Sequence, residues 1–208
     1  MAKRIHVVDD DASFRTAIER RLKQAGYDVS TYSSAQHLLD NLPSEPELGC
    51  VLLDVHMPTI TGPALQDRLR ELGSILPIIF LTGNPDVRTT VRTMKAGAEN
   101  FLTKPVSSDE LFPAIERAIA NHERARASKN ELDTVRARIA RLTPREREVF
   151  NLITRGQTNK HAARALGCTE RTIKAHRHQV MEKLEVKTLP ELVSFAERVW
   201  AMGVESGS

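Results

Sequence analysis

Cysteines and long apolar runs are scarce in this sequence. Its 208 residues include only two cysteines, Cys50 and Cys168, which lie far apart and build no disulfide framework. This suits a reducing compartment, and we expect both to be small, buried side chains. No apolar run approaches the ~20 residues that a membrane-spanning helix needs, and the N-terminus lacks the apolar core and cleavage site of a signal peptide. These absences predict a cytoplasmic protein with no membrane partner.

The charge is distributed unevenly along the chain. Residues 1–120 contain 13 lysines and arginines against 16 aspartates and glutamates, a net charge of −3, whereas residues 121–208 contain 17 against 11, a net charge of +6. A basic region favours a polyanionic partner, although solvated basic faces are also common. The charge therefore suggests two parts with different roles.

Short apolar runs alternate with amphipathic stretches over the first 120 residues. The apolar runs predict strands at 4–8, 28–32, 50–54, 77–82 and 100–103. The stretches between them predict helices at 12–25, 34–41, 62–72, 86–97 and 107–120. Strands that alternate with helices indicate βαβ units. The sequence thus predicts a doubly wound, flavodoxin-like α/β domain with a five-stranded parallel sheet, and we place this domain at 1–122.

A charged stretch without strand signals follows, which we interpret as a helical linker at 123–139. Small and apolar residues recur at spacings of 3 and 4 from Leu111 to Leu142, most clearly from Leu132 onward. This seam is consistent with a dimeric coiled coil, and equally with a single solvated helix whose ends dock on two domains.

Residues 140–208 predict a small all-α domain of four helices. The first helix begins with a Thr-Pro-x-Glu capping arrangement at Thr143 and stops at Gly156, and short helices follow at about 159–166, 170–184 and 189–201. A tight turn at Gly167 between the second and third of these helices gives the outline of a helix-turn-helix. In the third helix, apolar residues share one face and basic residues cover the rest, as in a helix that packs on its domain and enters a DNA groove.

Polar residues of the first domain follow the ends of the predicted strands. Asp9 and Asp10 end the first strand, Asp54 ends the third, Thr82 ends the fourth, and Lys104 follows the fifth. Because the carboxyl ends of parallel strands share one edge of a sheet, we expect these side chains to converge. Carboxylates are the ligands that Mg²⁺ prefers. With the cation bound, Asp54 can act as a nucleophile toward phosphorus while Lys104 and Thr82 stabilise the transferring group.

The runs "VVDDD", "LLDVHMPTITG", "LTG" and "FLTKP", in this order and spacing, resemble the receiver domain of bacterial two-component response regulators. The resemblance implies phosphorylation of Asp54. It also implies a Mg²⁺ site made by Asp9, Asp10, Asp54 and the backbone carbonyl of His56. Thr82 and Phe101 match the switch residues of the family, Lys104 matches the lysine that contacts the phosphoryl group, and Lys104-Pro105 matches a bond that is usually cis.

Residues from about 140 to 203 are similar to the LuxR-type helix-turn-helix domain, and together with the receiver they resemble FixJ-like and NarL-like regulators. The resemblance assigns base contacts to Lys174, Ala175 and His178. It assigns phosphate contacts to Lys160, Thr169, Arg171, Thr172 and Arg177.

The two resemblances imply a transcription factor that a sensor histidine kinase phosphorylates on Asp54. Phosphorylation would favour a homodimer through the predicted fourth helix, fifth strand and fifth helix, a face that includes Val87–Lys95, and the dimer would bind duplex DNA with RNA polymerase as a further partner. The chain would not be an enzyme beyond slow self-dephosphorylation. One alternative is a Mg²⁺-dependent phosphohydrolase, which usually has a second acid where this chain has His56. Another is an RNA-binding antiterminator.

Overall fold

The computed structural model describes residues 3–42 and 48–204. It divides the chain into two compact units, Met1–Ala127 and Ser128–Ser208. The N-terminal unit is built around a β-sheet, and the described part of the C-terminal unit is helical. The predicted boundaries at 122 and 140 stay predictions, since one long helix runs through both of them.

The sheet of the N-terminal unit has five parallel strands in the order β2-β1-β3-β4-β5. The strands are β1 (Arg4–Val8), β2 (Asp28–Tyr32), β3 (Gly49–Asp54), β4 (Ile78–Thr82) and β5 (Asn100–Thr103). Strands β3 and β4 are buried along their whole length because helices cover both faces. The predicted α/β fold is therefore confirmed, with strand ends that differ from the prediction by one residue at most.

Four helices connect the strands: α1 (Ala12–Gln24), α2 (Ala35–Asp40), α3 (Gly62–Glu71) and α4 (Val87–Lys95). Each begins after a residue whose side chain accepts a hydrogen bond from the first turn, namely Asp11, Ser34, Thr61 and Asp86. Helix α1 packs on one face of the sheet, against a core that includes Ile5 and Leu52, and α3 packs on the other, against Leu53 and Phe80.

Helix α5 (Ser108–Ala140) joins the predicted helix at 107–120 and the predicted helical linker at 123–139 into one continuous helix. The sequence pattern divides this region into a helix at 107–120 and a helical linker at 123–139, because the apolar periodicity weakens around Ala125 and Ser128, which are exposed, although no helix-breaking residue intervenes. Near its start the helix buries Leu111 in the core of the N-terminal unit, and near its end it buries Ile139 in the core of the C-terminal unit. Each end of the helix thus contributes to the core of one unit, and the choice between a single solvated helix and a dimeric coiled coil stays a prediction.

Within residues 128–204, four further helices follow: α6 (Pro144–Thr154), α7 (Asn159–Ala165), α8 (Glu170–Lys183) and α9 (Leu189–Ala201). They enclose an apolar core that includes Phe150, Ile173 and Phe195. All four were predicted, and the capping box at Thr143 is present. No helix among the described residues is long and apolar enough to cross a membrane.

The cysteine expectation is half right. Cys50 is fully buried in the sheet, where burial raises the pKa of its thiol well above the ordinary value. Cys168 is only partly buried, because it lies in the turn between α7 and α8 rather than inside a helix.

Candidate phosphoryl-acceptor site and DNA interface

The predicted acidic residues and the lysine meet at the carboxyl edge of the sheet. Asp9 follows β1 and is 1% exposed, and Asp54 ends the neighbouring strand β3 and is 5% exposed. Lys104 follows β5, and its Nζ donates hydrogen bonds to Asp9 Oδ2 at 2.5 Å and to Asp54 Oδ1 at 2.6 Å. One ammonium group therefore bridges two buried carboxylates that the chain separates by 45 residues.

Backbone amides hold the other oxygens of the two carboxylates. The Asp11 amide donates to Asp9 Oδ1 at 2.9 Å, and the His56 amide donates to Asp54 Oδ2 at 2.7 Å. Burial raises the pKa of Asp9, against the opposing effect of Lys104. Burial also disfavours the charged lysine, but its hydrogen bonds to the two carboxylates outweigh this and raise the pKa of Lys104. The positive charge of Lys104 thus compensates the buried negative charges of Asp9 and Asp54.

Asp10 and Asp11 differ from Asp9 in their surroundings. Both are exposed. The carboxylate of Asp11 caps helix α1 by accepting hydrogen bonds from the amides of Ser13 at 2.8 Å and Phe14 at 3.2 Å. Asp11 therefore has a structural role at the start of the helix, separate from the buried carboxylate of Asp9.

Thr82 and Phe101, the expected switch residues, lie on the neighbouring strands β4 and β5. The Thr82 hydroxyl is fully buried, donates to the carbonyl of Asn84 at 3.3 Å and accepts from the amide of the same residue at 3.2 Å. The Phe101 ring is partly buried, with its centroid 6.1 Å from that of Phe80. The Lys104-Pro105 peptide bond is cis, as the resemblance implied.

The chemistry of the donor set fits a hard divalent cation. Carboxylate oxygens of Asp9 and Asp54 lie together at a buried edge, with Asp10 and the His56 carbonyl adjacent in sequence, and oxygen ligands of this kind suit Mg²⁺. Across residues 3–42 and 48–204, however, no three His, Cys, Asp or Glu side chains are gathered as a metal-binding group. The assignment of the four metal ligands therefore stays a prediction.

Sequence reasoning missed one residue at this site. The ring of Phe14, in the first turn of α1, has Lys104 Nζ over its face at 4.3 Å from the centroid. The available signal was its position three residues after the capping Asp11. Residues at this spacing share one face of a helix, and their side chains tilt toward its N-terminal end.

The predicted DNA-contacting residues lie on α7 and α8. Of the eight residues, Thr172 and Arg177 are partly buried, and the other six are exposed, namely Lys160, Thr169, Arg171, Lys174, Ala175 and His178. Thr169 caps α8 and accepts a hydrogen bond from the Thr172 amide at 3.2 Å. Ile173 and Val180 are fully buried on the opposite side of the helix. This helix accordingly presents a basic face to solvent.

An ion pair between the buried Glu146 and the partly exposed Lys183 fixes the end of α8 to the start of α6. Lys183 Nζ lies 2.8 Å from Glu146 Oε1 and 2.6 Å from Glu146 Oε2. Glu146 Oε2 also accepts from the Thr143 amide at 2.8 Å, which completes the capping box. Burial opposes the charge of Glu146, but these hydrogen bonds lower its pKa. The pairing of Glu146 with Lys183 was not anticipated from the sequence.

The fold and the two sites define a receiver-type α/β domain joined to a helix-turn-helix domain. Residues 5–116 match the model of the response regulator receiver domain, and residues 140–196 match that of the luxR family of bacterial regulatory proteins. The chain therefore belongs to the two-component response regulators with a LuxR-family DNA-binding domain, which are transcription regulators and not classical enzymes.

Named relatives agree over nearly the whole chain. The transcriptional regulatory protein FixJ of Bradyrhizobium diazoefficiens is 41% identical over 93% of this chain and 94% of its own length. The tetrathionate response regulatory protein TtrR of Salmonella typhimurium is 38% identical over 94% of this chain and 92% of its own. The structure of the response regulator StyR matches with a TM-score of 0.88 at 38% identity, covering 95% of this chain and 100% of StyR.

Proposed function

We propose that Asp54 accepts a phosphoryl group from a sensor histidine kinase in a Mg²⁺-dependent reaction, and that phosphorylation promotes dimerisation and sequence-specific DNA binding. The observation that carries the proposal is the bridge from Lys104 to the buried carboxylates of Asp9 and Asp54. A buried carboxylate beside a fixed cation is suited to attack phosphorus, because the cation offsets the charge of the incoming group.

In the proposed reaction an oxygen of Asp54 forms a bond to phosphorus as the bond to the donor breaks. Mg²⁺, which receiver domains generally bind, supplies charge neutralisation to the transferring group. Lys104 exchanges one of its carboxylate bonds for a phosphoryl oxygen, and the His56 amide keeps the other oxygen of Asp54 in place. The Thr82 hydroxyl leaves Asn84 and turns toward the phosphoryl group, and Phe101 turns inward behind it.

The proposed dimer uses α4, β5 and the start of α5. On α4, three apolar side chains are exposed: Val87 at 80%, Val91 at 46% and Met94 at 42%. Exposed apolar side chains grouped on one helix favour burial against a partner. A dimer would present two copies of α8 to the two halves of a palindromic DNA site.

For DNA contact, we assign base readout to Lys174, Ala175 and His178 on α8. Phosphate contacts come from Lys160, Thr169, Arg171, Thr172 and Arg177. The exposed basic side chains in these sets support the assignment, since phosphate contacts supply most of the affinity for DNA. RNA polymerase is the expected further partner, and the cytoplasm is the expected compartment.

Intact mass after incubation with acetyl phosphate tests the proposal directly. We expect one phosphoryl group to be added with Mg²⁺ and none without it. Asp54→Asn should abolish the addition, and the matched control Asp40→Asn, at an exposed carboxylate on α2, should leave it unchanged. Addition to the Asp54→Asn variant would contradict the assignment of the acceptor.

The same preparations distinguish the alternatives. Sustained turnover of p-nitrophenyl phosphate would favour a phosphohydrolase, whereas one phosphoryl group per chain with slow self-dephosphorylation supports a regulator. A preference for structured RNA over duplex DNA would favour an antiterminator. A phosphorylated protein that stays monomeric by light scattering at DNA-binding concentrations would contradict the dimer.

A further inference from the structure

The ammonium of Lys104 contacts three groups, which are two carboxylates and one aromatic ring. Two N–H groups are accounted for by Asp9 and Asp54, at 2.5 and 2.6 Å. The third direction faces Phe14, whose ring centroid lies 4.3 Å from Nζ. The Lys104 side chain is 18% exposed, so this contact occurs in a largely desolvated place.

We propose that Phe14 is a positioning residue of the phosphorylation site, which holds the Lys104 ammonium between Asp9 and Asp54 through a cation–π contact. This inference rests on the proposed phosphorylation of Asp54 and deepens it. The face of an aromatic ring carries negative potential, so it attracts an ammonium without accepting a full hydrogen bond. The ring therefore fixes the cation on one side and leaves the other two N–H groups of the ammonium available for oxygen partners.

The placement of Phe14 follows from local structure. The amide of Phe14 donates to the capping carboxylate of Asp11, which fixes the first turn of α1. The guanidinium of Arg15 donates to the backbone carbonyl of Asp9 at 2.6 Å, which joins the same turn to the end of β1. The ring also packs against the core on this face of the sheet. Hence the ring has little freedom to leave Lys104.

The contact acts on phosphoryl transfer through Lys104 alone. With acetyl phosphate as donor, the bond from the Asp54 oxygen to phosphorus forms as the bond from phosphorus to the acetate oxygen breaks. Acetate leaves as an anion, so no proton has to move. During this step one N–H of Lys104 must pass from a carboxylate to a phosphoryl oxygen, and a cation that is already held in place makes that exchange without a search through hydrated rotamers.

The decisive variants are Phe14→Leu, which keeps an apolar side chain but removes the ring, and Phe14→Tyr, which keeps the ring. We expect Phe14→Leu to slow phosphorylation by acetyl phosphate by roughly threefold to tenfold, the factor that a partly desolvated cation–π contact corresponds to. Phe14→Tyr should stay within about twofold of the unchanged protein on the same grounds.

Phe112→Leu is the matched control. Phe112 is also partly buried against the same core, and its ring centroid lies 5.8 Å from the guanidinium carbon of Arg21. Loss of a phenylalanine that acts only by packing should lower thermal stability without changing the rate at saturating Mg²⁺. Equal rates for Phe14→Leu and Phe112→Leu, or a rate for Phe14→Tyr as low as that for Phe14→Leu, would overturn the inference.

A second measurement does not depend on phosphorylation. In the NMR spectrum of the unmodified full chain, the ε-methylene protons of Lys104 should be shifted upfield by the ring current of Phe14, and Phe14→Leu should remove the shift. Resonances at the ordinary lysine position would overturn the inference even if Asp54 is phosphorylated. Failure of the unchanged protein to accept phosphate with a shifted Lys104 would instead count against the proposed function alone.

Discussion

The pairing of Glu146 with Lys183 gives the sharpest stability prediction for the DNA-binding unit. Glu146 is 5% exposed, and its carboxylate holds both Lys183 on α8 and the Thr143 amide at the start of α6. The change Glu146→Ala removes these contacts together and leaves the partly exposed ammonium of Lys183 without its carboxylate partner.

The expected loss can be worked from these contacts. Removal of one member of a buried ion pair costs about 3–5 kcal/mol, and loss of the hydrogen bond from the Thr143 amide costs about 1 kcal/mol. Because the Lys183 side chain is 30% exposed, water offsets part of the first cost. We therefore expect a fall of about 3 kcal/mol in the free energy of unfolding, which corresponds to a Tm lower by more than about 10 °C for a unit of this size.

Fluorescence of Trp200 reports this unit in the full chain, since Trp200 is the only tryptophan and lies on α9. The control is Glu148→Ala, which removes an exposed pair with Arg145 at 2.7 Å and should cost less than about 1 kcal/mol in urea unfolding. A double-mutant cycle with Lys183→Met gives the coupling energy between Glu146 and Lys183.

Equal stability of Glu146→Ala and Glu148→Ala would refute this reasoning. The lowered pKa of Glu146 also predicts the direction in which stability changes with pH. Its contribution is complete above its ordinary pKa of 4.5 and is lost as the pH falls through the lower folded value. Loss of the Glu146 contribution at higher pH would contradict the direction of the shift.

Three further predictions concern other parts of the chain. Burial lowers the pKa of His6 to about 4, so the N-terminal unit should be most stable above pH 6.5 and lose roughly 3 kcal/mol as the pH falls toward 4; hydrogen exchange in β1 should show this slope, His6→Gln should flatten it, and His161→Gln should not. A Cβ added at Gly62 would lie 2.3 Å from the backbone carbonyl oxygen of Asp54. A Cβ added at Gly83 would have no atom within 4 Å. Gly62→Ala should therefore destabilise the N-terminal unit by about 1–3 kcal/mol and slow phosphorylation, while Gly83→Ala should leave stability within about 0.5 kcal/mol, as thermal unfolding and intact mass can measure. Lys160→Gln should reduce the slope of log K against log salt for DNA binding by about 0.9, and an unchanged slope would exclude a phosphate contact at this residue.

The sequence was most informative where local pattern and topology coincide. Strand ends in a parallel sheet share one edge, so the meeting of Asp9, Asp54 and Lys104 followed from the alternation of strands and helices. The contacts of Phe14 and Lys183 could not be predicted in the same way. Each depends on the distance between two side chains that are far apart in the chain. The spacing of Phe14 from Asp11 indicates the end of α1 at which the ring lies, but not its contact with Lys104.

The division of α5 at about residue 120 in the sequence prediction has a different cause. Periodicity detects a helix through its buried side chains, and residues 123–131 have no buried side chain. Such a stretch continues as helix because nothing interrupts the backbone hydrogen bonds, a property that an apolar pattern does not record.

Helix α5 contributes side chains to the cores of both units, and this limits where the chain can be divided. The family match to the DNA-binding domain begins at residue 140, yet Val135 and Ile139, which precede it, are at most 4% exposed in the core with Phe150. A fragment that starts at the family boundary would leave out two core side chains, each worth about 1.5–3 kcal/mol of burial. Exchange of effector domains between regulators should therefore retain native stability only when the junction lies upstream of Val135, in the exposed stretch that contributes to neither core.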